Sequence, residues 1–196
     1  MIDNLDQTPL DGEIIPPEKT NWKRFLIDTI ETILLAVVLT LGINLVSARV
    51  RVENVSMLPT LQQGNFILVN KLSYKNNPPM VGDIIIFHAP LEPGEDFIKR
   101  VIGAPGDRVL IKDGRVYVND YQLTEDYIAD VPAYNGQWDV PLDKVFVLGD
   151  NRNASSDSHE WGFVPMKNVI GKALLIYWPI RDAVIFQNTN VVTASP

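Results

Sequence analysis

Between Thr32 and Ala48 the chain runs for 17 residues without a charge, and most of them are Leu, Ile, Val or Ala. As a helix that run is about 26 Å long, at the short end of what crosses a bilayer core. Phe25 to Glu31 lengthens it by an interfacial turn or two, with Asp28 and Glu31 near the start, where water and headgroups still reach. A soluble core helix remains open, since the two acids could mark a polar face. A cleaved leader fits less well, because the charged segment before it is long and its apolar core exceeds the usual ~7–15 residues. The expectation is a retained transmembrane anchor over residues 22–48. Lys19, Lys23 and Arg24 precede its apolar stretch, which begins at Phe25, while Arg49 and Arg51 follow, so charge bias only weakly favours a cytoplasmic N-terminus.

The flanking segments differ in character. Residues 1–21 are acidic and carry Pro9, Pro16 and Pro17, which reads as a flexible tail, and residues 187–196 read as a polar C-terminal tail. Residues 49–186 are long enough for one domain with a real core. Composition then excludes several classes. Asp and Glu outnumber Lys and Arg by 24 to 17, for a net charge of -7, and no basic stripe is present, so nucleic acid is not an expected partner. There is no cysteine, which removes disulfides, thiolate catalysis and Cys-bearing zinc sites. With only His88 and His159, no metal site is expected either.

After Val50 the pattern becomes short apolar runs between turns, the mark of a mainly β domain. Strands are expected over Phe66–Val69, Asp83–Phe87, Phe97–Ile102, Val145–Leu148 and Val169–Trp178. Val109 to Val118 reads as a hairpin with Asp113-Gly114 at its tip. Gly82-Asp83, Pro105-Gly106-Asp107 and Gly149-Asp150-Asn151 are turn signals between strands.

Two residues in this frame carry potential chemistry. Alternation along Phe97-Ile98-Lys99-Arg100-Val101-Ile102 puts Lys99 between Phe97 and Val101 on one face. If that face is inside, desolvation disfavours the ammonium and makes Lys99 a candidate general base. The plainer alternative is an edge strand protected by Lys and Arg. Ser56, in Asn54-Val55-Ser56-Met57-Leu58-Pro59-Thr60, is a candidate nucleophile or simply a turn former. A polar loop from Gly149 to Pro165 opens after an apolar strand and offers hydroxyls and carboxylates.

Four blocks together resemble the type I signal peptidase family, membrane-anchored serine proteases that remove secretory leader peptides. They are Ser56-Met57-x-Pro59-Thr60, Gly82-Asp83-Ile84, Lys99-Arg100-Val101-Ile102-Gly103-x-Pro105-Gly106-Asp107, and Gly149-Asp150-Asn151-Arg152 through Pro165, in the family's order. The resemblance runs from the anchor to about Trp178 and implies a signal-peptidase-like antiparallel β domain on a single N-terminal transmembrane helix. It implies a Ser56/Lys99 dyad, with Ser155 orienting the amine, Asp150 pairing with Arg100, and Asp157 as a further structural acid. Asn54 stands where some members place an oxyanion-binding serine, and His159 replaces a common arginine partner of Asp157. Met57, Ile98 and Val52 would shape shallow pockets for small side chains. Preproteins bearing signal peptides and membrane lipid are the implied partners, with no cofactor and with the catalytic domain outside the cytoplasm. The expected location is a cell membrane, crossed once, with a thylakoid-type membrane as the alternative.

Other classes stay open on sequence alone. A self-cleaving Ser/Lys protease of the SOS-repressor kind would carry a DNA-binding domain, which the acidic tail and apolar segment do not supply. An inactive membrane-tethered β module would have no need to keep both Ser56 and Lys99. Pairing of Ser56 with His88 or His159 is a formal alternative, and no Gly-x-Ser-x-Gly or Ser-x-x-Lys motif is present. The Asn-x-Ser sequons at Asn54 and Asn153 each contain a proposed active-site serine.

Overall fold

The computed structural model describes residues 21–186, so the two expected tails lie, but for Asn21, outside the described residues. Helix α1 spans Trp22–Val46 with no buried residue. Phe25, Ile27, Ile30, Ile33, Leu34 and Leu35 are all more than half exposed. A helix apolar on every side has no stable place in water, and at 25 residues, about 37 Å, this one is long enough to span a membrane. Two of its hydroxyls are turned back on the helix: Thr29 Oγ1 and Thr32 Oγ1 each donate to the carbonyl four residues earlier, at 2.7 Å. Helix gives way to strand at Ser47, two residues before the expected end of the anchor.

Among the described residues, 42–186 form a second compact unit. Its strands are β1 (Ser47–Arg51), β2 (Phe66–Asn70), β3 (Ile84–His88), β4 (Asp96–Gly103), β5 (Arg108–Lys112), β6 (Arg115–Val118), β7 (Tyr121–Gln122), β8 (Gly136–Asp139) and β9 (Lys144–Leu148). A one-turn helix α2 (Ser158–Trp161) precedes β10 (Val164–Pro165), β11 (Val169–Trp178) and β12 (Val184–Ile185). The larger sheet has the order β1-β2-β11-β3-β4-β9-β10, with β12 added to β11; the smaller is β7-β6-β5-β8. Every pairing is antiparallel. The fold is mainly β with one apolar N-terminal helix. The predicted hairpin is present, with Asp113 (φ 51°) and Gly114 (φ 74°) in the left-handed region at its tip, the geometry that matches strand twist.

Three apolar clusters fill the domain, and β4 contributes to all three. Ile84, Ile86, Val52, Met57, Leu61, Ile67 and Val69 pack together with Ile98 against them. Ile85, Phe87, Val101 and Val147 form a second cluster with Phe97, while Ile102 joins Phe146, Leu148 and Val109 in the third. Phe97 and Val101 share a cluster apart from Ile98, as strict alternation requires. Strand β4 lies between β3 and β9 and is not an edge strand. Yet β9 pairs only with its second half, from Arg100 to Gly103, so Asp96–Lys99 keeps one side without a strand neighbour.

A single cross-strand row runs Ser47, Asn70, Lys172, Ile85, Lys99. Lys99 is therefore level with the first residue after the helix, four strand spacings or about 19 Å away. Extending the β4–β9 register one step beyond Arg100–Leu148 sets Gly149 opposite Lys99. A Cβ built on Gly149 would overlap Ser155 Oγ and the carbonyl oxygen of Ser56. The missing side chain lets three segments meet. Gly149→Ala is expected to cost about 1–3 kcal/mol through overpacking, read as a Tm several degrees lower; an unchanged melting curve would show that the contact is loose.

Candidate active site

Lys99 comes to the site from the middle of β4 and is 3% exposed. Its Nζ lies 5.6 Å from the centre of the Phe97 ring, which is itself edge-on to Phe87. Among the described residues no carboxylate comes within ion-pair distance of the amine. Burial pushes its pKa down to about 8, against the opposing pull of Asp157, Asp150 and Glu160. A lysine so placed is neutral in a useful fraction of molecules near neutral pH.

The neighbouring side chain, on the other face of the strand, takes the buried carboxylate. Arg100 Nε and Nη2 donate to Asp150 Oδ1 and Oδ2 at 2.8 and 2.7 Å, and Nη1 donates to Gly82 O at 3.0 Å. Its guanidinium also lies 3.8 Å over the Tyr127 ring. The bidentate fork suits arginine and not lysine, so alternation assigns the two cations different work.

Ser56 is 7% exposed and sits in a turn closed by Leu58 N–H to Val55 O and Leu61 N–H to Met57 O. Loop Gly149–Asn151 staples this turn in place. Asn151 N–H donates to Ser56 O at 3.0 Å, Asn151 Nδ2 to Val55 O at 3.2 Å, and Thr60 Oγ1 to Asp150 Oδ2 at 2.5 Å. One carboxylate thus ties the serine turn to the strand that bears the lysine. Ser56 Oγ donates to Asn54 Oδ1 at 3.1 Å, so Asn54 does stand on the serine hydroxyl.

Ser155 is 8% exposed, and its hydroxyl has no partner among the described residues; it lies against Gly149, the residue after Leu148 of β9. Asp157 is fully buried and caps α2. It accepts from Gly149 N–H at 2.9 Å and from His159 Nδ1 at 2.6 Å. That hydrogen bond raises the pKa of His159, against partial desolvation. His88 is remote from this arrangement in character: its side chain is 65% exposed and pairs with Asp96 at 2.7 Å. Val52 and Met57 are 2% and 1% exposed within the apolar core, and Ile98 is half-buried beside them. Among the described residues no group of three His, Asp or Glu is arranged to hold a metal ion.

Sequence reasoning gave no role to a second buried pair. Arg152, 1% exposed, donates to both oxygens of Glu125 at 3.0 and 2.6 Å and, through Nε, to Gly149 O at 3.1 Å. It anchors the loop through the Gly149 carbonyl. Arg152 and Thr60 stand inside recognised blocks, but Glu125 and Tyr127 come from a segment with no local signal.

Comparison with known proteins matches residues 26–178 to the family model described as signal peptidase, peptidase S26. The chain is 48% identical over 166 residues to signal peptidase I of Leptolyngbya laminosa, covering 80% of this chain and 81% of that protein. It is 41% identical over 146 residues to signal peptidase I of Bacillus caldolyticus, covering 67% and 79%. It is also 40% identical over 139 residues to thylakoidal processing peptidase 1, chloroplastic, of Arabidopsis thaliana, covering 65% of this chain and 41% of that protein. With the family model spanning most of the length and Ser56 and Lys99 both inside it, the chain belongs to the signal peptidase family, peptidase S26, and is a serine peptidase that removes signal peptides.

Proposed function

We propose that Ser56 is the nucleophile and Lys99 the general base of this peptidase. The observation that carries the assignment is the lysine: buried among apolar rings, without an ion-pair partner, and inclined to give up its proton. Neutral Lys99 takes the proton of Ser56 as Oγ attacks the scissile carbonyl, the serine hydroxyl having turned from Asn54 toward the amine. The Oγ–C bond forms, the C–N bond breaks with the proton passing to the leaving amine, and an ester remains. Lys99 then draws a proton from water, which releases the product acid and restores Ser56. Ser155, whose buried hydroxyl is without a partner among the described residues, turns toward the Lys99 amine and orients it during the reaction.

The oxyanion is received by Ser56 N–H, with the Asn54 carboxamide as second donor when its Nδ2 faces the site. One such donor is worth about 10²–10³ in turnover. The substrate lies extended along the open side of Asp96–Lys99, as an added strand between β4 and the segment leading into Ser56. The half-buried Ile98, packed against the buried Met57 and Val52, supplies the apolar side of that binding strand. Signal-peptide-bearing preproteins are the substrates, the helix is retained in the membrane, and the N-terminus is cytoplasmic.

Ser56→Ala and Lys99→Ala should each abolish cleavage of a preprotein by the detergent-solubilised enzyme, with products read by mass spectrometry. Lys99→Arg should be equally inactive, since guanidinium supplies no neutral base. Normal cleavage by any of the three would defeat the dyad and favour a histidine base or a different site.

Activity should rise with pH through about 8 as Lys99 loses its proton. Stability moves in the same direction. Folding lowers this pKa from 10.5, so between about 8 and 10.5 the unfolded chain binds the extra proton and the fold gains stability as pH rises. Below that window the buried ammonium costs on the order of 3 kcal/mol. Lys99→Met should therefore be inactive yet melt several degrees higher than the parent at pH 7, with the difference closing above pH 10.5. A lower Tm at pH 7 would mean the amine is well solvated.

A further inference from the structure

Asp157 touches both sides of the site. Oδ2 accepts the N–H of Gly149, which directly follows Leu148, the cross-strand partner of Arg100. Oδ1 accepts both the backbone N–H and Nδ1 of His159, at 3.2 and 2.6 Å. His159 in turn is stacked on Tyr134, with ring centres 3.9 Å apart and planes 9° from parallel. Tyr134 is held there by Asn153, which accepts from Ala133 N–H at 2.9 Å and donates to Val131 O at 3.0 Å. The imidazole is fixed in place, yet its side chain is 17% exposed and can exchange protons with solvent.

The groups around the imidazole are few. Asp157 and, at 3.9 Å, Glu160 face it from its own helix and cap. From the opposite segment comes Tyr134, whose own charged surroundings include Arg152 and Glu125. Asp157 is also the foremost of the acids acting on Lys99, ahead of Asp150 and Glu160. Asp150 is neutralised by a permanent cation, Arg100. Asp157 has as its partner a group that titrates within the working range of an enzyme.

We propose that His159 is a positioning residue whose protonation sets the net charge that Asp157 presents to Lys99. With imidazolium in place the pair is neutral, the Lys99 ammonium loses support, and the reactive amine forms at lower pH. With neutral imidazole the pair is an anion and holds the lysine proton more tightly. The two titrations oppose each other, and linkage makes the effect mutual. The site keeps activity on the acid side that a permanently neutral partner would forfeit. This inference rests on Lys99 being the base.

The test is the pH profile of kcat/KM from pH 5.5 to 10 for the parent, His159→Arg and His159→Gln, with the full chain in detergent and a preprotein substrate. A change of half to one unit in the lysine ionisation gives about three- to tenfold in rate at fixed pH on the rising limb. His159→Arg should exceed His159→Gln by that factor near pH 6.5, and the three should converge above pH 9.5. The parent should follow the arginine variant at the acid end and the glutamine variant at the alkaline end. Three parallel profiles, offset by a constant factor, would overturn the proposal, because a purely structural role predicts them.

A second measurement does not depend on activity or on variants of His159. The chain has only two histidines, so both imidazoles can be followed by NMR. In Lys99→Met, with the neighbouring ammonium gone, His159 should titrate at higher pH than in the parent. An unmoved His159 midpoint would overturn the coupling. Cleavage by Lys99→Ala would instead strike the Ser/Lys assignment, leaving the NMR titration to decide the coupling alone.

Discussion

Placing an ammonium-bearing side chain between Phe97 and Val101 on an interior strand is unfavourable, and the site is organised around that cost. Coulomb attraction from a close carboxylate would relieve it, but would also keep the proton on and leave no base. The structure separates the two needs by one residue. Arg100, on the opposite face of the strand, takes the buried carboxylate of Asp150 in a two-point fork, and Lys99 is left with aromatic and aliphatic neighbours. Acids remain near enough to moderate the shift but not to cancel it.

The same carboxylate fixes the serine. Asp150 accepts from Arg100 and from Thr60, so the strand carrying the base and the turn carrying the nucleophile share one anchor. Removing either partner of such a buried pair leaves an uncompensated charge, typically a loss of 3–5 kcal/mol. Gly149 adds the second constraint. Its backbone bonds to Asp157 and Arg152 from opposite directions, and its lack of a side chain admits Ser155 and the Ser56 carbonyl. Position in this site comes from backbone held by buried charge, with few of the holding groups touching the reacting atoms.

Much of this was legible in the sequence where a local rule carried the information. Alternation placed Lys99 and Arg100 on opposite faces, Asp113-Gly114 gave the hairpin, and the uncharged run gave the helix. What local rules do not carry is partnership across the chain. Whether the Phe97–Ile102 strand lies inside the sheet or at its edge depends on β9, more than forty residues later. Strand β1 begins inside the uncharged run that ends at Ala48, so nothing between Val46 and Ser47 marks the change. Strand β8, Gly-Gln-Trp-Asp, has one apolar side chain and shows its character only against β5. Glu125 and Tyr127 follow the same logic, since their worth arises from Arg152 and Arg100.

The smaller sheet illustrates why a distant segment matters to a two-residue reaction. The chain between β7 and β8 contributes Glu125, Tyr127 and Tyr134, which meet Arg152, Arg100 and His159 respectively. Each of these sits behind a residue that in turn supports Asp150, Gly149 or Asp157. A cation buried at 1% exposure, as Arg152 is, demands a carboxylate, and β9 and its loop have committed theirs to Arg100 and to the Gly149 turn. The connection between β7 and β8 supplies the missing acid. Supporting the site and completing the electrostatics of its core are therefore one structural requirement, met by residues that no motif around Ser56 or Lys99 could announce.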